Sequence, residues 1–228
     1  MSSPSSAGFR GETAIGAPAG ALMLTFDDGP DEQWTARVLY QLQRCRASAT
    51  FFMVGERVLA RPQLAHMVLA AGHELQLHCH RHVRHTQLSG RQLLRDTEQA
   101  LAALESVGVR PRLWRTPWGI CTEASINVAE QLGLRLVGWS IDTHDWRGDP
   151  PQRMLDVCRA QLASVGSGVV LMHDALGPGA RREGCENTIA LLPALLAVAR
   201  EHNLAPVTVS HYLQHHPVAS VDTIGMAL

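Results

Sequence analysis

Short apolar runs and helical patterns alternate along nearly all of this 228-residue chain, and few folds accommodate that rhythm. A strand, a helix and a second strand in the same direction make a parallel sheet covered by helices. Strands are expected over residues 21–26, 49–54, 74–78, 112–116, 135–141, 168–172 and 205–209, each short, apolar and bounded by turn or cap residues. Helical spacing falls between them, over residues 33–45, 62–71, 90–107, 123–132, 151–165 and 188–202. In the first helix Trp34, Val38, Leu42 and Cys45 share one face; in the third Leu94, Leu101 and Leu104 do, with Ser89 as N-cap.

The polar residues choose between an open sheet and a closed one. Asp27 and Asp28, the segment from His78 to His82, Arg115, the segment from Asp142 to Asp145, and His173 with Asp174 stand at or just past the C-terminal ends of five different strands. Closure into a barrel brings those ends to one mouth, where active sites of this architecture sit. In an open sheet, with neighbouring strands about 4.8 Å apart, the outer clusters would lie too far away. The expected fold is therefore α/β, a distorted (β/α) barrel of about seven strands. It forms a single domain over residues 21–213, with a flexible leader at 1–20 and a flexible tail at 214–228.

Charge and composition exclude several chemistries. Twenty basic and 21 acidic side chains leave a formal charge of −1, so no bulk basic field recruits nucleic acid or a membrane surface. All of the basic residues are arginine. Without lysine there is no Schiff base, pyridoxal anchor, Walker phosphate loop or Ser-Lys dyad. Five widely spaced cysteines without a CxxC pair argue against a disulfide framework or a thiolate zinc site and suit a reducing compartment. The leader carries neither an export signal nor a spanning helix, and the expected location is cytoplasmic. Nothing in the sequence fixes the oligomeric state.

Three segments concentrate the candidate chemistry. In Thr25-Phe26-Asp27-Asp28-Gly29-Pro30, two adjacent carboxylates end a buried strand. One could bind a metal while the other handles a proton; a plain Asp-Gly-Pro turn would also place them there. Between His73 and His85 lie five of the chain's twelve histidines. His78 and His82, four apart, would share a face on a helical turn and could share one metal, whereas His78 and His80 form an alternative H-x-H pair on an extended strand. Arg115 at a strand end reads as a surface ion pair or as the orienting partner of a buried carboxylate. Pro117 and Trp118 follow it, and Asp142, Asp145, Trp146 and His173 complete the inventory.

Taken in order, TFDDGP, the HxxxH within HCHRH, RTPWG, DTHDW and LMHD resemble the motifs of the polysaccharide deacetylases of carbohydrate esterase family four, the nodulation-type chitooligosaccharide deacetylase domain. The likeness spans roughly residues 21–213, with ATFF, VGE and GHE in register. It implies a metal-dependent hydrolase that removes N-acetyl, or related N-acyl, groups from an amino sugar or short oligosaccharide, with water as nucleophile. Carried over by position, Asp28, His78 and His82 are the implied metal ligands, Asp27 the general base and His173 the general acid. Arg115 orients the base and Asp145 tunes the acid, with Asp142 a second candidate for that tuning. Trp118, Trp146 and Pro117 are the implied substrate contacts. One divalent ion is implied, zinc first, with cobalt or manganese able to substitute.

Three departures from the family pattern fall on the rim: Cys79 after the first ligand histidine, and Arg81 and Val83 around the second. Two rival readings survive at this level: a barrel amidohydrolase that acts on a non-sugar amide through His78 and His80, and a sugar-binding pseudoenzyme that kept the mouth and lost the chemistry.

Overall fold

The computed structural model describes residues 20–165 and 168–215. Strands β1 (Ala21–Asp27), β2 (Ala49–Val54), β3 (Glu74–Cys79), β4 (Leu113–Trp114), β5 (Arg135–Leu136), β6 (Ile141–Asp142), β7 (Gly168–His173) and β8 (Ala205–Pro206) form one sheet. Its order is β5-β4-β3-β2-β1-β7-β6, and β8 pairs the first two residues of β1. Every pairing is parallel. Helices α1 (Thr35–Cys45), α2 (Gly55–Ala60), α3 (Pro62–Ala70), α4 (Gly90–Glu105), α5 (Glu123–Leu132), α6 (Pro151–Val165), α7 (Glu186–Glu201) and α8 (Val209–His215) fill the connections and follow the last strand. Ser89 caps α4 through a capping box with Gln92.

This is the distorted barrel that the strand-helix rhythm implies, and its distortion has a definable place. The single strand expected over residues 135–141 is two short ones, on opposite edges of the sheet. Val137 N donates to Trp114 O at 2.9 Å and Ser140 N to Val169 O at 3.0 Å, so the chain changes partner midway and spans the seam instead of pairing along it. That split makes eight strands where seven were expected. Two more expectations shift. Of residues 205–209 only the first two pair, because Val209 already opens α8, and α2 follows β2 directly, too short for a periodic pattern to reveal. Gln214 and His215 belong to α8; the rest of the expected tail, and residues 1–19 of the expected leader, lie outside the described residues.

Period-two alternation along the strands separates two apolar layers. On β1, Leu22, Leu24 and Phe26 face outward into the large core under the helices, with Val38 and Leu42 of α1 and Leu191 and Leu195 of α7. Each such side chain contributes roughly 1.5–3 kcal/mol by leaving water. The intervening residues face inward. Met23, Phe52, Leu113, Val137 and Val169 meet Val209 and Tyr212 of α8 in a second cluster, which plugs the bottom of the barrel. Thr50 and Glu74 fix that plug: Thr50 Oγ1 donates to Glu74 Oε2 at 2.6 Å and accepts from Val209 N at 3.0 Å, while Glu74 Oε2 accepts from Ser210 N at 3.2 Å. Higher on the same strand faces stand Thr25, Asp27, Gln76, His78, Arg115 and His173, so the barrel is apolar below and polar above.

Candidate active site

The polar side chains at the top of the barrel open into a cavity of about 580 Å³, lined by Asp27, Asp28, His78, His82, Trp118 and His173, among others. Asp27 and Asp28 diverge because Asp28 takes φ +74°, a left-handed conformation in which the alternation of the strand is broken. Asp28 Oδ1 lies 3.3 Å from His78 Nε2 and 3.1 Å from His82 Nε2. His78 donates Nδ1–H to the carbonyl of Arg115 at 2.7 Å, so Nε2 is the ring nitrogen turned toward Asp28. Asp28 Oδ1 is buried and has no hydrogen-bond donor of its own. Acceptor atoms gathered this closely away from water repel one another unless a cation lies among them. Two imidazoles and a carboxylate whose ligand atoms lie within 4.8 Å of one another fit a divalent ion and leave coordination positions over. Gly177 is needed beside them, since a Cβ there would overlap the Asp28 carboxylate.

His82 reaches the cluster by a route that residue spacing did not predict. The histidine pair is not on a helical turn: His78 lies within β3, and His82 follows it in an irregular segment. Asp96 of α4 holds that segment by accepting from His80 N at 2.9 Å and Arg81 N at 3.1 Å. The alternative ligand His80 is absent from the cavity lining; its ring lies against Gly55 of α2, where a Cβ would sit 2.9 Å from Nδ1. The Cys79 thiol is buried and pushed to a higher pKa, first by burial and then by the charge of Asp96, and it does not join the cluster.

Asp27 and Arg115 form one flank. Arg115 Nη1 donates to Asp27 Oδ1 at 2.9 Å and to Thr25 Oγ1 at 2.6 Å. Its Nε donates to Val137 O at 3.4 Å and its Nη2 to Gly138 O at 2.8 Å. Arg115 is fully buried, and the fork therefore serves two ends at once: it satisfies the seam's free carbonyls and fixes the cavity carboxylate. The ring of Phe52 packs under its guanidinium at 4.3 Å.

His173 forms the other flank. Its Nδ1 bonds to Asp145 Oδ1 at 2.7 Å, and its backbone N–H donates to Asp145 Oδ2 at 2.9 Å. Oδ2 also accepts from Arg182 Nη1 at 3.0 Å and Thr188 Oγ1 at 2.7 Å. Burial pulls the imidazole down, but the Asp145 charge and hydrogen bond outweigh it and lift His173 to about 9. Burial would likewise raise Asp145, yet His173, Arg182 and Thr188 hold it at about 2. Asp142, the alternative partner, turns away: it pairs with His144 Nδ1 at 3.0 Å and accepts from His144 N at 2.8 Å.

The expected substrate contacts separate as well. Trp118, at φ +55°, packs its ring edge-on to His82 at 4.2 Å, while Arg84 covers the indole at 4.2 Å. Trp118 and Trp146 line the cavity and Pro117 does not. Trp139 lines it too and was not anticipated; Gly119 must lack a side chain for that indole to fit. Arg182, Thr188 and Asp96 were also missed. A loop arginine in Gly-Ala-Arg-Arg-Glu and a buried helical aspartate carry no periodic signal, whereas Thr25 sits two residues before Asp27 and was readable from the strand period.

Fold and site together define a single-domain barrel hydrolase with a candidate divalent-metal centre. The chain belongs to the polysaccharide deacetylase family: the family model "Polysaccharide deacetylase" matches residues 15–137. A peptidoglycan-N-acetylglucosamine deacetylase of Bacillus cereus is 32% identical over 85% of this chain and 88% of its own length. A chitooligosaccharide deacetylase of a Bradyrhizobium species is 33% identical over 74% of this chain and 77% of its own. Among solved structures, a family 4 carbohydrate esterase from Streptomyces lividans in complex with acetate superposes with a TM-score of 0.74 at 26% identity, covering 83% of this chain and 93% of the other.

Proposed function

We propose that this chain removes N-acetyl groups from short, soluble amino-sugar oligomers, with one zinc ion held by Asp28, His78 and His82. The observation that carries the reading is the convergence of that acceptor triad, the Asp27–Arg115 pair and the His173–Asp145 pair on one cavity. The relatives named for deacetylation of peptidoglycan and chitooligosaccharides support the substrate class. Zinc is favoured over cobalt or manganese because two nitrogens and one carboxylate suit it.

When bound, the ion would polarise the acyl carbonyl and acidify a water. Asp27, with Oδ1 engaged by Arg115, takes the water's proton on its other oxygen. His173, with Nδ1 committed to Asp145, presents Nε2 to the departing nitrogen and protonates it as the carbon–nitrogen bond breaks. Asp145 holds the imidazole in the right tautomer and favours its charged form. Water is the nucleophile, so no acyl-enzyme forms.

A short substrate is supported by the aromatic inventory. Sugar polymers call for aromatic platforms repeated along a groove, whereas Trp118, Trp139 and Trp146 gather at one cavity mouth and Trp34 and Trp114 are buried. The test is acetate release from N-acetylglucosamine monomer, short oligomer and insoluble chitin or peptidoglycan at matched acetyl concentration, before and after chelation. Activity should vanish with the metal, return with zinc or cobalt, and be highest on the oligomer. Full activity in protein shown to be metal-free would refute the metal centre, and a clear preference for polymer would refute the substrate scale.

A further inference from the structure

The charges lining the cavity are unevenly matched. Each of its carboxylates is held: Asp27 by Arg115, Asp142 by the backbone N–H of His144, and Asp28 within the metal triad. Among its arginines, Arg182 is tied to Asp145 and Thr188. Arg84 and Arg181 also line the cavity, are exposed, and have no carboxylate or hydrogen-bond partner for their guanidinium groups among the described residues. Once the triad holds a dication, these two stand as uncompensated positive charge at the rim.

Their placement is ordered. Arg84 lies over Trp118 at 4.2 Å, and the same indole packs edge-on against His82 at 4.2 Å, so this guanidinium stands one ring away from a ligand of the metal site. Stacking on an indole leaves the planar fork of an arginine free at its edge, where it recognises an anion bidentately. Arg181 comes from the segment after β7, and its backbone N–H donates to Trp146 O at 2.8 Å, which seats that segment on the second cavity tryptophan. In the sheet, β3 and β7 are separated by β2 and β1. The two arginines thus approach the rim from loops on either side of the Asp28 turn.

We propose that Arg84 and Arg181 form an anion-recognition rim, and that the preferred N-acetylated substrate carries an anionic substituent on, or next to, the sugar that is deacetylated. The inference rests on the deacetylase reading above and narrows its substrate class. A carboxylate borne by an alternate sugar and a sugar phosphate offer the same chemistry to the two guanidinium groups.

Acetate release by the zinc-loaded protein separates them. The substrates are neutral N-acetylglucosamine tetramer, a tetramer of alternating N-acetylglucosamine and N-acetylmuramic acid, and N-acetylglucosamine 6-phosphate against the neutral monosaccharide. An anionic member should exceed its neutral counterpart in kcat/KM by about tenfold, mostly through KM, and about 0.5 M salt should shrink that ratio. Arg84→Gln and Arg181→Gln should each lower the ratio severalfold, with Arg84→Lys keeping part of it. Preference for the muramic tetramer alone assigns the rim to a carboxylate, and for the phosphate alone to a phosphate. A ratio near one in the unmodified protein, or a ratio untouched in the double Gln variant, overturns the inference and leaves deacetylation intact. No acetate from any of the four, with zinc bound, would overturn both.

Discussion

Arg115 meets Asp27 at 2.9 Å on one flank of the cavity, and Arg182 meets Asp145 at 3.0 Å on the other. Both pairs are buried, yet they are wired differently. Asp27 itself lines the cavity with its arginine behind it, whereas Asp145 is wholly enclosed and His173 stands between it and the cavity. The same ion pair therefore backs a carboxylate that faces the cavity in one place and an imidazole in the other; what separates the two is the titratable ring interposed. The flanks also differ in construction. Thr25, Asp27 and Arg115 sit on or directly after β1 and β4, while Asp145, Arg182 and Thr188 come from a turn, a loop and the start of α7.

Replacing the two working groups tests that division most sharply. Asp27→Asn should retain metal and fold yet lower kcat by about 10² to 10⁴, the span of a lost general base. Metal analysis decides the interpretation, because a matching loss of metal would make Asp27 a ligand and erase the contrast between flanks. His173→Ala should also keep its metal and lose about 10²-fold on an amide. Its defect should shrink on activated aryl acetates, whose leaving group needs little protonation. Equal defects on both substrates would remove His173 from the acid role.

Asp145→Asn addresses the support and should act mainly through pH. In the protein His173 is held at about 9, so its proton-donating form persists below that and activity falls as pH rises through it. A divalent ion would cancel the help His173 receives from Asp28 and lower the limb, leaving Asp145 as the main support. The variant should move the alkaline limb of kcat/KM down toward the ordinary histidine value of about 6.5, with about a tenfold loss at neutral pH. The stability signs follow. The raised His173 contributes fully below its unfolded value and loses that contribution as pH climbs through about 9. The depressed Asp145 contributes above its unfolded value and loses it as pH falls through about 2. The Tm gap between protein and variant should therefore be widest between about pH 4 and 6.5. An unmoved alkaline limb would sink the support role.

The two flanks were not equally legible in the sequence. Asp27, His78, Arg115 and His173 could be placed because a strand's period of two, ending at a polar residue, says which side chain points inward and at what height. The seam could not: residues 135–141 read as one strand, and only the two-sided pairing reveals that it spans an opening which Arg115 fills. His78 and His82 come together by a route the spacing did not describe, since a bend held by Asp96 replaces the expected helical turn. The acid flank stayed hidden behind Asp145, because Arg182 lies 37 residues from it in an aperiodic loop. Local pattern carries no information about such a contact, and Asp142 looked equally suitable until the turn at His144 engaged its carboxylate.

Arg182→Lys is the mildest perturbation and the one that asks whether the second arginine resembles the first. The Arg182 guanidinium serves Asp145 Oδ2, Thr188 Oγ1 and the carbonyls of His173 and Ala175. Lysine keeps the charge but offers a single point of attachment, so the salt bridge can persist while the carbonyl contacts go. Losing one or two partly buried hydrogen bonds should cost about 1–2 kcal/mol of stability, with kcat falling only a few-fold and the alkaline limb barely moving, because Asp145 still faces His173. Denaturant unfolding alongside a pH–rate profile would measure both. A collapse of activity with an unchanged limb would mean that the loop, and not the carboxylate, positions the imidazole, and the acid flank would then depend on backbone placement in a way the strand-built base flank does not.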